Sequence, residues 1–199
     1  MTRLGMTIDL DKCMDTRACL GACKQEYALP IGSFWCKVYT STSGEFPNTE
    51  TYFIPIICQH CENPKCVEKY PEIFSKREDG IVVFEKDPSK YAGKIDESIV
   101  DVCPYGAIAY DKDTQTVGKC DLCAHLIDEG KMPACANACN SAAWVFGDFD
   151  DPESAVSKTV SAVGEDACHK LKPEEGTGPT MVYLLRKKQW KDMDGLRVR

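Results

Sequence analysis

The distribution of apolar positions along the chain predicts short strands and few long helices. Residues 5–10 (GMTIDL), 51–57 (TYFIPII), 80–85 (GIVVFE) and 106–110 (GAIAY) are brief apolar runs rich in β-branched and aromatic residues. Each run lies beside cysteines, and that pairing recurs four times, which marks an internal repeat. Residues 41–50 (STSGEFPNTE) carry turn formers and predict a loop. At Asp151-Pro152-Glu153, an aspartate before a proline predicts the start of a helix. Residues 172–180 (KPEEGTGPT) predict a linker, and MVYLLR after it a final strand.

Composition changes this picture at one point. Thirteen of 199 residues are cysteine, far more than packing requires. A secreted disulfide scaffold would open on a signal peptide, and MTRLGMTIDL has neither an apolar core nor a cleavage site. The cysteines also fall in short-spaced groups, which suits metal ligation better than bridging of long loops. No stretch approaches the ~20 apolar residues of a membrane span. Net charge is −7 and no basic stripe exists, so nucleic acid is not an expected partner. The cluster Arg186, Lys187, Lys188 and Lys191 is expected to be a solvated face or a docking tail.

The spacing of the groups carries the chemistry. The bacterial ferredoxin run is Cys-x2-Cys-x2-Cys-x3-Cys, whose fourth cysteine ligates the other cluster of a two-cluster module. Run one reads Cys13, Thr16, Cys19, Cys23, with threonine in the second slot. Run two reads Cys58, Cys61, Cys66 and then Tyr70-Pro71 in place of a terminal Cys-Pro. Run three keeps only Cys103-Pro104, and its earlier slots hold Gly93, Asp96 and Ile99. Run four, Cys120, Cys123, Cys135 and Cys139, is complete.

Crossed pairing of runs one with four, and two with three, sorts these residues. Cluster A takes Cys13, Cys19 and Cys139, with Thr16 or Asp15 near an open position. Cluster B takes Cys120, Cys123, Cys135 and Cys23. Cluster C takes Cys58, Cys61, Cys66 and Cys103. The remaining site is left with Gly93, Asp96, Ile99 and Tyr70. All four missing thiolates therefore belong to one berth, a pattern that scattered loss would rarely produce. Two [4Fe–4S] clusters are expected, plus a third that is [4Fe–4S] or [3Fe–4S]. Cys36 and Cys168 are left over and are expected to be ordinary small buried side chains, Cys36 being the better placed to reach cluster A. The competing reading is a zinc-stabilised scaffold without redox function, but tetrahedral zinc usually takes two separated pairs of ligands.

The motifs Ile8-Asp9-Leu10-Asp11-Lys12-Cys13, Cys58-Gln59-His60-Cys61, Cys103-Pro104-Tyr105-Gly106, Lys119-Cys120-Asp121-Leu122-Cys123 and Pro133-Ala134-Cys135 make the chain similar to a known family. It resembles the iron–sulfur small subunits of dimethyl-sulfoxide-reductase-type molybdopterin oxidoreductases. CENPKC, REDGIVV and CAHLIDEGKMPAC resemble, within it, the small subunits of the pyrogallol–phloroglucinol transhydroxylase and aromatic hydroxylase–dehydroxylase branch. Thr16 departs from that pattern. The resemblance implies an electron-transfer subunit, non-catalytic itself, for a large partner holding molybdenum or tungsten in two molybdopterin guanine dinucleotides. Cluster A would lie nearest that cofactor, and the partner would act on hydroxylated aromatic compounds. The alternative is a respiratory oxyanion or sulfur-compound reductase. The implied fold is α+β, with two ferredoxin-like modules. Residues 1–50 with 111–146 would hold clusters A and B, and 51–110 cluster C and the lost site. The extension 147–199 would wrap the modules or the partner. No direct membrane anchor and a cytoplasmic location are expected.

Overall fold

The computed structural model describes residues 2–191 and 193, and the backbone of 197 and 198. Of the expected extension, residues 192, 194–196 and 199 lie outside the described residues. The architecture is α+β, built from small sheets. In chain order the elements are β1 (Leu4–Asp9), α1 (Ala18–Glu26), β2 (Lys37–Ser43), β3 (Glu50–Ile56), α2 (Lys65–Lys69), β4 (Phe74–Lys76) and β5 (Val82–Phe84). A 3-10 helix over Glu97–Val102 precedes β6 (Ile108–Asp111) and β7 (Thr116–Lys119). Then come α3 (Ala124–Asp128), α4 (Ala134–Asn137), β8 (Trp144–Asp148), α5 (Ala155–Val163), β9 (Cys168–His169), β10 (Val182–Leu184) and β11 (Arg197–Val198).

The principal sheet has the order β8-β1-β10-β9, with β1 antiparallel to β8 and parallel to β10. Residues of 147–199 thus supply hydrogen-bonded partners to the first strand. β1 lies inside the sheet and is buried on both faces, which explains why GMTIDL shows no clean alternation. Met6, Ile8 and Leu10 anchor a core that also holds Ile54, Ile56, Tyr105 and most of the cysteines. Such fully buried aliphatic side chains contribute roughly 1.5–3 kcal/mol each. The hairpin β2–β3 reaches into the stretch expected as a loop, leaving only residues 44–49 outside its strands.

Two local expectations differ from the structure. Helix α5 begins at Ala155, not after Asp151, because the Ser154 hydroxyl accepts the Ser157 N–H at 3.3 Å and caps it. Asp151 instead closes a turn by accepting the Glu153 N–H at 2.8 Å. The expected linker 172–180 is a strap laid across the Cys58–Cys61 loop. Glu62 N–H donates to Gly178 O at 2.8 Å, Asn63 N–H to Thr177 O at 2.9 Å, and Thr180 N–H to Gln59 O at 2.9 Å. The Thr180 hydroxyl donates to His60 O at 2.7 Å. A loop bent around four thiols leaves its own backbone unpaired, and the strap satisfies it.

A second, smaller core occupies the region of the berth without cysteines. Ile73, Phe74, Tyr91, Ile99, Ile108 and Val117 pack together, with Tyr70 and Val102 against them. Ile99 is buried, and Asp96 caps the following 3-10 helix by accepting the Ser98 N–H at 2.8 Å. Three of the four substituted slots therefore do hydrocarbon or capping work. Hydrocarbon fills the space next to Cys66 and Cys103.

Candidate iron–sulfur site

The loop after the first cysteine of runs one, two and four reverses direction through a residue in the left-handed region. These are Asp15 (φ 54°), His60 (φ 43°) and Leu122 (φ 60°), at the same place in runs one, two and four. The fourth-cysteine turns match as well. Ala107 N–H donates to Cys103 Sγ and Ala143 N–H to Cys139 Sγ, both at 3.4 Å, beyond a positive φ at Gly106 and Ala142. Leu122 N–H donates to Cys120 Sγ at 3.4 Å. Backbone donors aimed at sulfurs stabilise thiolates and raise the potential of the cluster they hold. The repeat is thus visible in backbone conformation as well as in spacing.

Thiols from distant runs lie close together in three groups. Cys58, Cys61, Cys66 and Cys103 line one small cavity of about 20 Å3 with Val82, Ala107 and Ile108 as apolar walls. Cys120 and Cys135 are deeply buried and sense the charge of Cys23. Cys13 senses Cys19 and Cys139. Helix α1 carries Cys19 of set A and Cys23 of set B one turn apart, so the two sets share a rigid element. Thr16 is exposed, and its hydroxyl donates to Asn140 Oδ1 at 3.3 Å. The Asp15 carboxylate is held by Arg17 Nε at 3.2 Å.

Burial governs the protonation of these thiols. It pushes Cys13 and Cys66 up to about 11, and Cys23 and Cys61 up to about 12. Cys120 and Cys135 are also raised by burial, with neighbouring sulfurs adding to the effect. An acid whose pKa is raised keeps its proton over the whole range below that value. Without metal these six sulfurs therefore keep their protons at neutral pH, and an iron–sulfur core must displace a proton from each of them, whereas Cys19 is shifted the other way by its hydrogen bond with Cys36. The donor set fits such a core: soft sulfurs in groups of four, dry walls and backbone donors. Loading is accordingly opposed by acid. The visible absorbance retained against a fixed chelator is expected to fall steeply from pH 8 to pH 5, and a flat profile would contradict proton displacement.

Two residues that are not cysteines lie between sets B and C. Lys119 is 1% exposed, an unusual depth for an ammonium. Its Nζ donates to Val82 O, to Cys120 O at 2.9 Å and to Cys58 Sγ at 3.7 Å. His60 is fully buried, which depresses its pKa, and the charge of Lys119 depresses it further. Val82 N–H donates to His60 Nδ1 at 3.0 Å, so the neutral ring carries its proton on Nε2. That nitrogen faces Cys120 Sγ at 3.9 Å. One signal for Lys119 exists in the sequence: a lysine ending an apolar strand and abutting a ligand cysteine. Arg186 of the basic tail is likewise not free in solvent, since it pairs with Asp9 at 2.6 Å and Asp11 at 3.1 Å.

Comparison with known proteins agrees with this geometry. The 4Fe-4S dicluster domain family matches residues 49–149. A putative iron-sulfur subunit of the dimethyl sulfoxide reductase of Halobacterium salinarum is 34% identical, covering 92% of this chain and 79% of its own. A subunit of the tetrathionate reductase of Salmonella typhimurium is 36% identical over 92% of this chain and 72% of its own. The pyrogallol hydroxytransferase small subunit of Pelobacter acidigallici is 34% identical over 92% and 69%.

Proposed function

Because this chain belongs to the iron–sulfur subunits of the dimethyl-sulfoxide-reductase-type molybdoenzymes, an electron-transfer family, we propose that it carries three clusters to a molybdopterin catalytic partner. Cys13, Cys19 and Cys139 would hold cluster A. Cys120, Cys123, Cys135 and Cys23 would hold B, and Cys58, Cys61, Cys66 and Cys103 would hold C. Each cluster supplies a one-electron carrier. The chain's own residues set its potential by burial, charge and hydrogen bonds to sulfur.

The observation that carries the reading is the arrangement of thiols. Eleven cysteines fall into a set of three and two sets of four, and the fourth berth holds packed hydrocarbon. The sets are linked in series: α1 joins A to B, and His60 with Lys119 joins B to C. Cys13 and Cys139 are only partly buried, and Met14 beside them is 62% exposed. The partial exposure of set A suits contact with a partner that holds the molybdenum or tungsten cofactor.

The substrate is proposed to be a hydroxylated aromatic compound. The lost fourth berth and the pyrogallol hydroxytransferase relative support it. Among the described residues no helix is long and apolar enough to cross a membrane. A cytoplasmic complex without a direct membrane anchor is proposed, because short-spaced cysteine groups suit metal ligation and not disulfide bridging. The tetrathionate reductase relative favours a second reading, an oxyanion or sulfur-compound reductase. Assaying the purified complex with polyhydroxylated phenols and, separately, with tetrathionate and oxyanions distinguishes the two. Phenol turnover is expected. Turnover of the inorganic substrates alone would overturn the aromatic reading. Spin quantitation of the reduced complex is expected to give three clusters from this chain, and four would overturn the cluster count.

A further inference from the structure

The second slot of run one is occupied by an exposed hydroxyl residue, and oxygen is a harder donor than sulfur. Thr16 is exposed and donates to Asn140, while Asp15 is engaged by Arg17. Set A is therefore one soft ligand short, although sets B and C have four each. One deeply buried thiol belongs to no set, namely Cys36, which is 1% exposed.

Cys36 is fixed by its surroundings. It sits immediately before β2, and Trp35 preceding it lies flat against β7. A Cβ on Gly118 would come within 2.5 Å of the Trp35 ring, so only glycine permits that approach. Trp35 also packs on Tyr27 at 4.5 Å and Phe84 at 5.4 Å between ring centroids. The Cys36 N–H donates to the sulfur of Cys23, a set B residue. Its thiol hydrogen-bonds the sulfur of Cys19, a set A residue. The residue thus straddles the two sets, with its backbone at B and its thiol at A. Cys135 and Cys23 are its other near thiols, and their set is already complete.

We infer that Cys36 is the fourth thiolate of cluster A, taking the place that Thr16 leaves open and making that cluster a full [4Fe–4S] core. On loading, the thiol gives up its proton to solvent and its sulfur donates an electron pair to the iron that Cys13, Cys19 and Cys139 do not reach. The ligand set is then four soft sulfurs, the donors such a core prefers. The fourth ligand then comes from residue 36, whose thiol lies beside Cys19 at the start of α1. The side of cluster A next to Thr16 is thereby left to backbone and solvent.

This inference rests on the three-cluster reading, and one set of complexes tests both. Iron per complex and the EPR spectra are measured for the wild type, Cys36→Ala, Cys36→Ser, Thr16→Cys, and Cys36→Ala combined with Thr16→Cys. Partner iron cancels in the differences. The wild type is expected to show three four-iron clusters and no three-iron signal. Cys36→Ala is expected to lose about one iron and to acquire the oxidised-state EPR signal of a three-iron cluster. Cys36→Ser, nearly isosteric, guards against a packing defect and is expected to shift the cluster A spectrum with the other two unchanged. The double variant is expected to regain the lost iron. A Cys36→Ala complex with the full iron complement and an unaltered cluster A spectrum would overturn the assignment, as would a change confined to cluster B. A wild type with a cluster number other than three would instead overturn the underlying reading.

Discussion

Extraction of iron from this chain is expected to abolish its cooperative fold. The strands are short, and two of the small sheets are two-stranded ribbons that are marginal alone. In the proposed ligation the cluster loops are held from both ends of the sequence: set A would join residue 13 to residue 139, and set B 23 to 120–135. Six of the eleven proposed ligands belong to the main core as buried side chains. Without iron these thiols are desolvated groups facing one another, and the loops that carry them lose their tie. Metal binding in small modules of this kind is folding free energy, on the order of 10 kcal/mol per structural site. Total stability of a domain is commonly about 5–15 kcal/mol. The loss of even one site is comparable with the whole. Urea titration followed by far-ultraviolet circular dichroism checks it. The iron-free chain is expected to show no sigmoidal transition, and a midpoint close to that of the loaded protein would refute the coupling.

Replacement of Lys119 by methionine is expected to lower the reduction potential of cluster C by roughly 100 mV. The Lys119 ammonium is buried beside Cys58 at 3.7 Å and stays in place through two carbonyl acceptors. Reduction adds negative charge to the cluster, so a fixed cation favours the reduced form. At that distance and an effective dielectric constant of about 20, one charge is worth at most roughly 4.5 kcal/mol. A tenfold change in equilibrium constant is about 1.4 kcal/mol, or about 59 mV for one electron, which puts the ceiling at about 190 mV. Relaxation and delocalisation of charge over the cluster bring the expected value down. Methionine matches the stem of lysine without its charge, and Lys119→Arg serves as the charge-retaining control. A potentiometric EPR titration reads the result. Cluster A, remote from Lys119, is expected to be unmoved, and an unshifted cluster C would show that the ammonium does not act on it. Because His60 is neutral, the potential of cluster B is not expected to gain a pH dependence from that ring.

What could be read from the chain was what depends on neighbours in sequence. The cysteine spacings imply braided sulfur sets because a Cys-x-x-Cys loop closes within a few residues. The left-handed residues Asp15, His60 and Leu122 fall within those same loops. Runs such as TYFIPII mark strands because alternation and β-branching are local properties, and β3 lies within one residue of that run. The empty slots at Gly93, Asp96, Ile99 and Tyr70 were equally visible, since they follow from counting. Tertiary structure alone decided contacts between distant segments. Lys119 meets Cys58 across 61 residues, and Thr180 meets His60 across 120. A proline- and glycine-rich stretch reads as a linker until the backbone groups it satisfies are in view. The same holds for the leftover thiol at position 36. Its use depends on which way residue 16 turns and on what Trp35 packs against, and hydrophobic burial settles both over the whole chain at once.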